Sequence, residues 1–373
     1  MTTEENMHLP RARHEYLLRE IELRGSVHSA DVASRFGVSE VTIRRDIIAL
    51  ETAGKLARVH GGAIALASSR GPQAARAPVG VIVPSTSMHF PEFVRGMEAL
   101  APALRVRLVL GVSHYRPDVE TAQVERMVAL GVGGIVIAPT TRGCTPEELA
   151  RRLRSIPVPV VLAERRIDHP SSISELDLAR TDLAHGAVIA VEHLHGLGHR
   201  RIGLGVYDRT PTAPHVREGY ARAATRLGLE PGPVMALSKG EDDPDRLSRE
   251  LGELLDRCAQ SGTRAVLVHT DDHAARLVES LLDRGLKVPG DLAVVAYDDE
   301  NADLAAVPLT TITPPRRELG REALRLLVDR ITEGDEDRRP PRHVELLPRL
   351  TVRDSCGGRR PAAPAAGPVR TGP

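Results

Sequence analysis

Tryptophan is missing from this chain, and 373 residues include only five tyrosines and three phenylalanines. Any ligand site therefore has few stacking platforms to draw on. Cysteine is scarce too: Cys144, Cys258 and Cys356 are far apart, odd in number and not in metal-ligand spacing. They point to a reducing compartment and argue against both a disulfide framework and a metal site. No stretch approaches 18 apolar residues, so no membrane span is expected. The first 25 residues, with Glu4, Glu5, Glu15, Glu20 and Glu22, lack the basic start and apolar run of a signal peptide, and a cytoplasmic location is expected. Net charge is absent as well, since 50 basic and 50 acidic residues cancel; nucleic-acid binding would favour a basic chain. Between Arg11 and Arg70, ten basic residues face seven acidic ones, which is only mildly basic. Lys55, Lys239 and Lys287 are the only lysines, a bias that reads as base composition rather than as a phosphate-binding surface. Signatures of catalysis are missing: there is no phosphate loop, no Gly-x-Ser-x-Gly elbow and no His-Glu-x-x-His. Neither an enzyme nor a bound cofactor is expected.

What is present divides by texture into more than one compact unit. Residues 1–66 combine helical periodicity with a short hairpin. Residues 67–78 are small, polar and Pro/Gly-containing, as a linker is. Residues 79–353 alternate short apolar runs with amphipathic stretches, the pattern of an α/β fold with parallel sheets. Residues 354–373 are rich in Pro, Ala and Gly, and disorder is expected there. In the long region the strands expected are Val79–Val83, Val106–Leu110, Ile135–Ala138 and Val158–Ala163, then Arg201–Gly205, Val234–Leu237, Ala265–His269 and Leu292–Tyr297. Nearly continuous apolar runs suit parallel strands covered on both faces. Helices fit over Glu92–Leu104, Glu120–Leu130, Ala184–Gly196 and Ala274–Gly285. Two four-strand halves in series predict two similar lobes with a cleft between them, and ligands of such sheets bind outside the carboxyl ends of the strands.

The sharpest signal lies in residues 27–66. Ser29–Phe36 reads as a short helix with Val32, Ala33 and Phe36 inward, and Gly37 supplies a tight turn. Ser39 is a good N-cap for a second helix whose buried face is expected to carry Val41, Ile43, Ile47 and Leu50. That spacing leaves Glu40, Thr42, Arg44 and Arg45 exposed at the helix N-terminus, the part of a helix-turn-helix that enters the major groove. Arginine can donate two bonds to guanine O6 and N7, and threonine can contact bases or phosphate. Asp46 reads as one half of a salt bridge within the domain. After Gly54, residues 55–64 alternate and turn at Gly61-Gly62 as a β-hairpin does, so Arg58 and His60 sit on a wing near phosphate or the minor groove.

These residues resemble a known family. Ser39-Glu40-Val41-Thr42-Ile43-Arg44-Arg45-Asp46, Gly54-Lys55-Leu56 and Arg58-Val59-His60-Gly61-Gly62-Ala63 are similar to the winged helix-turn-helix of DeoR-type bacterial regulators. Such regulators usually continue with a domain like sugar-phosphate isomerases, but this chain resembles the LacI-family sensor, which has the type I periplasmic-binding-protein fold. The matching segments are Glu192-His193-Leu194 with residues 198–203, Thr270-Asp271-Asp272-His273-Ala274-Ala275, residues 288–292 with Tyr297-Asp298-Asp299, and Pro308-Leu309-Thr310-Thr311-Ile312.

The resemblance implies a ligand between the lobes, held by strand-end loops. Ser87, His89 and Phe90 after the first strand, Glu164 after the fourth, and Asp271 and Asp298 after later strands are the expected contacts. Carboxylates accept strong bonds from vicinal hydroxyls, and an aromatic face covers the apolar side of a sugar ring. Asp272 reads as an N-cap. Family members often place an arginine where this chain has Val216, so Arg217 or Thr212 is a candidate substitute. Residues 67–78 do not resemble the hinge helix of LacI-type proteins. The expectation is a regulator that binds a double-stranded DNA operator as a homodimer and answers to a sugar-like effector. A sugar phosphate or nucleoside as effector and a solute-binding protein are the alternatives; a phosphate would require arginines converging on the cleft, with Arg165, Arg166 and Arg217 available.

Overall fold

The computed structural model describes residues 10–24, 26–53, 55–59, 61–64, 78–87, 89–141, 143–165, 176–240, 243–333 and 339–358. His60, Arg166, most of the expected linker and most of the expected tail lie outside the described residues. The chain divides into two compact units, Met1–Ala75 and Arg76–Pro373.

The first unit runs α1 (Pro10–Arg24), β1 (Ser26–His28), α2 (Ser29–Phe36), α3 (Glu40–Thr52), β2 (Ala57–Val59) and β3 (Gly62–Ile64). Leu17 and Ile21 of α1 close over Val32, Phe36, Ile43, Ile47 and Leu50 to form one core. Gly37 joins α2 to α3 at φ 62°, a left-handed conformation that glycine adopts without steric cost. The hairpin β2–β3 forms at the expected place, and β1 adds a third antiparallel strand beside β3. That pairing explains Gly62: a Cβ there would stand 1.9 Å from the Val27 carbonyl oxygen.

The second unit begins with β4 (Val79–Val83), α4 (His89–Leu104), β5 (Leu108–Val112), α5 (Pro117–Ala129), β6 (Gly134–Ile137), α6 (Pro146–Arg154), β7 (Val160–Ala163) and β8 (Asp177–Thr181). It continues through α7 (Leu183–Gly196), β9 (Gly203–Tyr207), α8 (Ala213–Leu227), β10 (Val234–Leu237), α9 (Pro244–Ser261), β11 (Ala265–His269), α10 (Asp271–Asp283) and β12 (Ala293–Tyr297). The last elements are β13 (Thr310–Thr313), α11 (Arg316–Thr332), β14 (His343–Leu346) and β15 (Arg349–Thr351). Two six-stranded sheets result, ordered β14-β8-β7-β6-β4-β5 and β10-β9-β11-β12-β13-β15. All pairings are parallel except that of β15 with β13.

The expected four strands per lobe are therefore corrected to six. The additional strands are short and carry polar residues, as in Thr310-Thr311-Ile312-Thr313 and Asp177-Leu178-Ala179-Arg180-Thr181, so their apolar runs are weak. The two lobes are also not strictly serial. Helix α11 follows a strand of the second sheet yet packs in the first lobe's core through Leu319, Ala323 and Leu327. Glycine permits that approach: a Cβ on Gly96 of α4 would stand 2.0 Å from the Arg317 carbonyl oxygen, and one on Gly320 would stand 2.0 Å from that of Phe93. The crossing brings the first turn of α11 to the carboxyl ends of the strands.

Candidate functional site

Helix α3 is presented by the small domain as a rigid arm. Ser39 caps it, its hydroxyl accepting from the Thr42 amide at 3.2 Å. Asp46 is buried and anchors the helix from behind: Arg13 donates to it through Nε at 2.7 Å and Nη2 at 3.2 Å, and His14 Nε2 lies 3.2 Å away. This is the internal salt bridge expected for Asp46. On the open face, Glu40 holds the Arg44 guanidinium at 3.0 Å, while Arg45 is exposed and has no partner among the described residues. Arg58 on β2 is exposed, and its amide and guanidinium both approach Glu51, at 3.1 and 3.7 Å. Val41, expected in the core, is instead 58% exposed. Its position one turn before Arg44 and Arg45 sets it opposite Ile43 and Ile47, and apolar character alone had suggested burial.

In the larger unit a polar cluster forms where strand ends of both lobes meet. Glu164, just after β7, accepts from the amide and hydroxyl of Thr181, both at 2.9 Å. His89 Nε2 lies 2.6 Å from the same carboxylate. On the ring's other side Arg316 Nε donates to His89 Nδ1 at 3.1 Å, which leaves the ring proton on Nε2, facing Glu164. Burial presses the Glu164 carboxyl upward, but His89 and the Thr181 donors outweigh it and hold it below the usual range. Arg316 is itself buried; it reaches the second lobe by donating to the Asp298 carbonyl oxygen and lying 2.9 Å from Glu300.

Asp271 opens α10 and accepts from the Glu300 amide at 2.6 Å and the Thr311 hydroxyl at 2.8 Å. Burial raises its carboxyl to about 6. Asp298 is pushed well above the carboxylate range, first by burial and then by the negative charge of Asp271. No described residue donates to the Asp298 side chain. Asp299 by contrast is held by Arg353 at 2.8 Å and Thr313 at 2.7 Å. Glu164, Asp298 and Asp299 all have positive φ, at 59°, 111° and 57°. Non-glycine residues in that region carry strain of about 1–3 kcal/mol each, and such strain gathers at functional sites.

Residues 13–69 match a DeoR-like helix-turn-helix domain, and residues 191–356 a periplasmic binding protein-like domain. The chain is a transcription regulator that joins a DeoR-like helix-turn-helix to a periplasmic binding protein-like domain. An arabinose metabolism transcriptional repressor of Geobacillus stearothermophilus is 27% identical to it over 87% of this chain and 89% of its own. A transcriptional repressor of Escherichia coli, CytR, is 28% identical over 84% and 89%. Among solved structures, a transcriptional regulator CelR in complex with cellobiose superposes with a TM-score of 0.62 at 24% identity, over 85% of this chain and 91% of that one. These relatives are regulators rather than enzymes. Among the described residues of this regulator, no helix is long and apolar enough to cross a membrane, and no three His, Cys, Asp or Glu side chains group as metal ligands.

Among the described residues, the others expected at the regulator's cleft make no hydrogen bond to this cluster. Phe90 is buried in the first lobe's core, edge-on to Phe93 and His89. Ser87 is exposed and bonds Ser85 at 2.7 Å. Arg217 is clamped by both carboxylate oxygens of Asp208, each at 2.9 Å. Thr212 stands at the N-terminus of α8, where its side chain makes no capping bond. Asp272 is not the N-cap of α10: Thr270 holds that position two residues earlier, and Asp272 pairs with Arg276 at 3.3 Å on the helix surface. Arg165 is buried and donates to the Pro139 carbonyl oxygen. Sequence reasoning missed Arg316, Thr181, Thr311 and Glu300. Arg316 carried no signal, being one arginine among many in a helix pattern; Thr181 and Thr311 belong to the strands whose polar character hid them.

Proposed function

We propose that this regulator is a cytoplasmic homodimeric repressor of carbohydrate-related genes, whose sugar-like effector binds between the two lobes of the sensor. The observation that carries the reading is the polar cluster in which Glu164, Asp271 and Asp298 from three strand ends surround His89 and Arg316. Carboxylates whose other bonds are already made offer lone pairs to vicinal hydroxyls, and Asp298 has its side chain uncommitted. The names of relatives that act on arabinose genes or hold cellobiose support the same class.

Charge speaks against a sugar phosphate. Of the three arginines that could serve one, Arg217 is committed to Asp208 and Arg165 to a backbone carbonyl, and Arg166 lies outside the described residues. Arg316 does face the cluster, but Glu300 neutralises it and Glu164, held below the usual carboxylate range, stands nearby. A phosphate would meet net negative charge.

On the DNA side, Ser39, Glu40, Thr42, Arg44, Arg45, Arg58 and His60 are the proposed contacts. Two readers on two half-sites would lie one or more helical turns, about 34 Å, apart, with residues 67–78 as linkers. Effector binding then shifts operator affinity by its difference in affinity for two sensor states, typically about 1–3 kcal/mol. The test is fluorescence anisotropy on the DNA upstream of the regulator's own gene, repeated with neutral sugars, sugar phosphates and nucleosides. A neutral sugar that changes operator affinity in the wild type but not in Asp298→Asn supports the proposal. A response confined to phosphorylated sugars, or one untouched by Asp298→Asn, overturns it.

A further inference from the structure

On the outer face of α3, apolar and cationic side chains share one stripe. At 100° per residue, Val41, Arg44, Arg45 and Ile48 fall within a single arc, and Ile43, Asp46, Ile47 and Leu50 occupy the buried one. Val41 is 58% exposed and Ile48 43%. In the reader, the only other large apolar side chain so exposed among the described residues is Val59, on the wing. Among the described residues, the domain's large exposed apolar side chains thus lie on the two elements a winged helix-turn-helix turns toward DNA. A second copy of the same face would set Arg44 and Arg45 against an identical cationic pair, whereas duplex DNA meets them with acceptors and phosphate.

In the major groove each base edge offers hydrogen-bonding groups, and the one apolar group is the 5-methyl of thymine. A guanidinium or hydroxyl group gains nothing from that methyl, whereas an exposed valine or isoleucine packs on it with its whole side chain. Val41 and Ile48 are seven residues apart, about 10 Å along the helix, or roughly three base-pair steps of 3.4 Å. We infer that Val41 and Ile48 are specificity-determining residues, seating thymine methyls on either side of the bases that Arg44 and Arg45 reach. Each half-site then carries thymines flanking its guanine contact. The inference rests on α3 being the DNA-reading helix.

The full-length chain is first used to select its preferred duplex from a randomised pool. Each thymine of that duplex is then replaced in turn by deoxyuridine, which removes one methyl and leaves base pairing intact. At least one thymine per half-site is expected to be sensitive, its loss weakening binding about fourfold, as burial of one methylene-sized group implies. In Val41→Ala or Ile48→Ala that same replacement should change Kd less than twofold. Both variants alter solvent-facing positions, and an unchanged thermal midpoint confirms their folding. If no deoxyuridine weakens binding, or if the alanine variants remain as sensitive as the wild type, the inference fails while α3 still reads DNA. If selection enriches no sequence at all, the reading of α3 fails first.

Discussion

The two units deploy charge in opposite ways. Among its described residues the reader buries the ion pair of Arg13 with Asp46 and leaves Arg44, Arg45 and Arg58 in solvent. The sensor draws its functional charges inward and joins them to one another, so that Arg316, His89, Glu164, Asp271 and Thr311 form a connected set across the lobes. An exposed cation keeps its hydration until DNA replaces it. A buried carboxylate has already lost water, and its cost is offset only by fixed donors or by ligand. The reader's cations therefore stay in solvent, in exposed pairs or, for Arg45, without a partner among the described residues, whereas most of the sensor's charges are buried and joined.

The contrast breaks most visibly if that buried pair is removed. Asp46→Ala removes the buried carboxylate that accepts from Arg13 twice, and breaking a buried pair from one side costs about 3–5 kcal/mol. Operator binding should disappear and the reader's melting transition should drop, with effector binding by the sensor retained. Retention of operator binding at wild-type strength would show that Asp46 does not anchor α3.

How much of this could be read from the sequence follows the same division. In the reader, Ser29–Phe36 and the Ser39 cap were legible because helical periodicity and capping are local, and even the Asp46 salt bridge was. Val41 misled because an apolar residue suggests burial, although its helical angle places it with Arg44. In the sensor, apolar strands such as Val79–Val83, Val234–Leu237 and Ala265–His269 were legible to the residue. His89, Glu164, Asp271 and Asp298 were placed at strand ends by resemblance, and the fold does bring them together. Their partners were not legible. Arg316 meets His89 across 227 positions and Thr311 meets Asp271 across 40, and no local pattern encodes a pairing made by chain crossings.

A smaller effect of opposite sign to ordinary acid denaturation is expected from Asp271. Its pKa is lifted from 3.8 to about 6 by burial, so the folded state holds this proton more tightly than the unfolded chain. That stabilisation is complete below pH 3.8 and is lost as pH rises through about 6. A rise of that size is equivalent to about 2–3 kcal/mol. Asp271→Asn does not titrate, so wild type should lose about that much stability relative to the variant between pH 4 and pH 7. Urea unfolding of both proteins at the two pH values measures it, and titrating groups remote from Asp271 cancel in the difference. A constant gap between them would mean that Asp271 is ionised in the fold at pH 4.

For the reader's exposed cations the balance is reversed: function suffers and stability does not. Arg45→Ala should cost about 1–3 kcal/mol of operator affinity and relax the preference at one base pair. Its thermal midpoint should match wild type, because Arg45 has no partner among the described residues to lose. A fall in midpoint with unchanged operator affinity would place Arg45 in the fold instead of the interface.

The smallest effect expected is also the sharpest test of where the sensor's site lies. Arg217 looks like a ligand clamp in sequence, beside the position where relatives of this fold are expected to carry one. In the fold it grips Asp208 with two bonds of 2.9 Å, and both side chains remain partly exposed. A solvated pair of this kind contributes about 0–1 kcal/mol. Arg217→Ala should therefore lower sensor stability by no more than that and leave effector Kd unchanged, whereas Arg316→Ala, which uncouples His89 from Glu300, should weaken effector binding. Isothermal titration of both variants with whichever sugar binds the wild type separates the cases. Equal loss in the two variants would mean that Arg217 leaves Asp208 to meet ligand, and that the sensor, like the reader, keeps a cation in reserve on its surface.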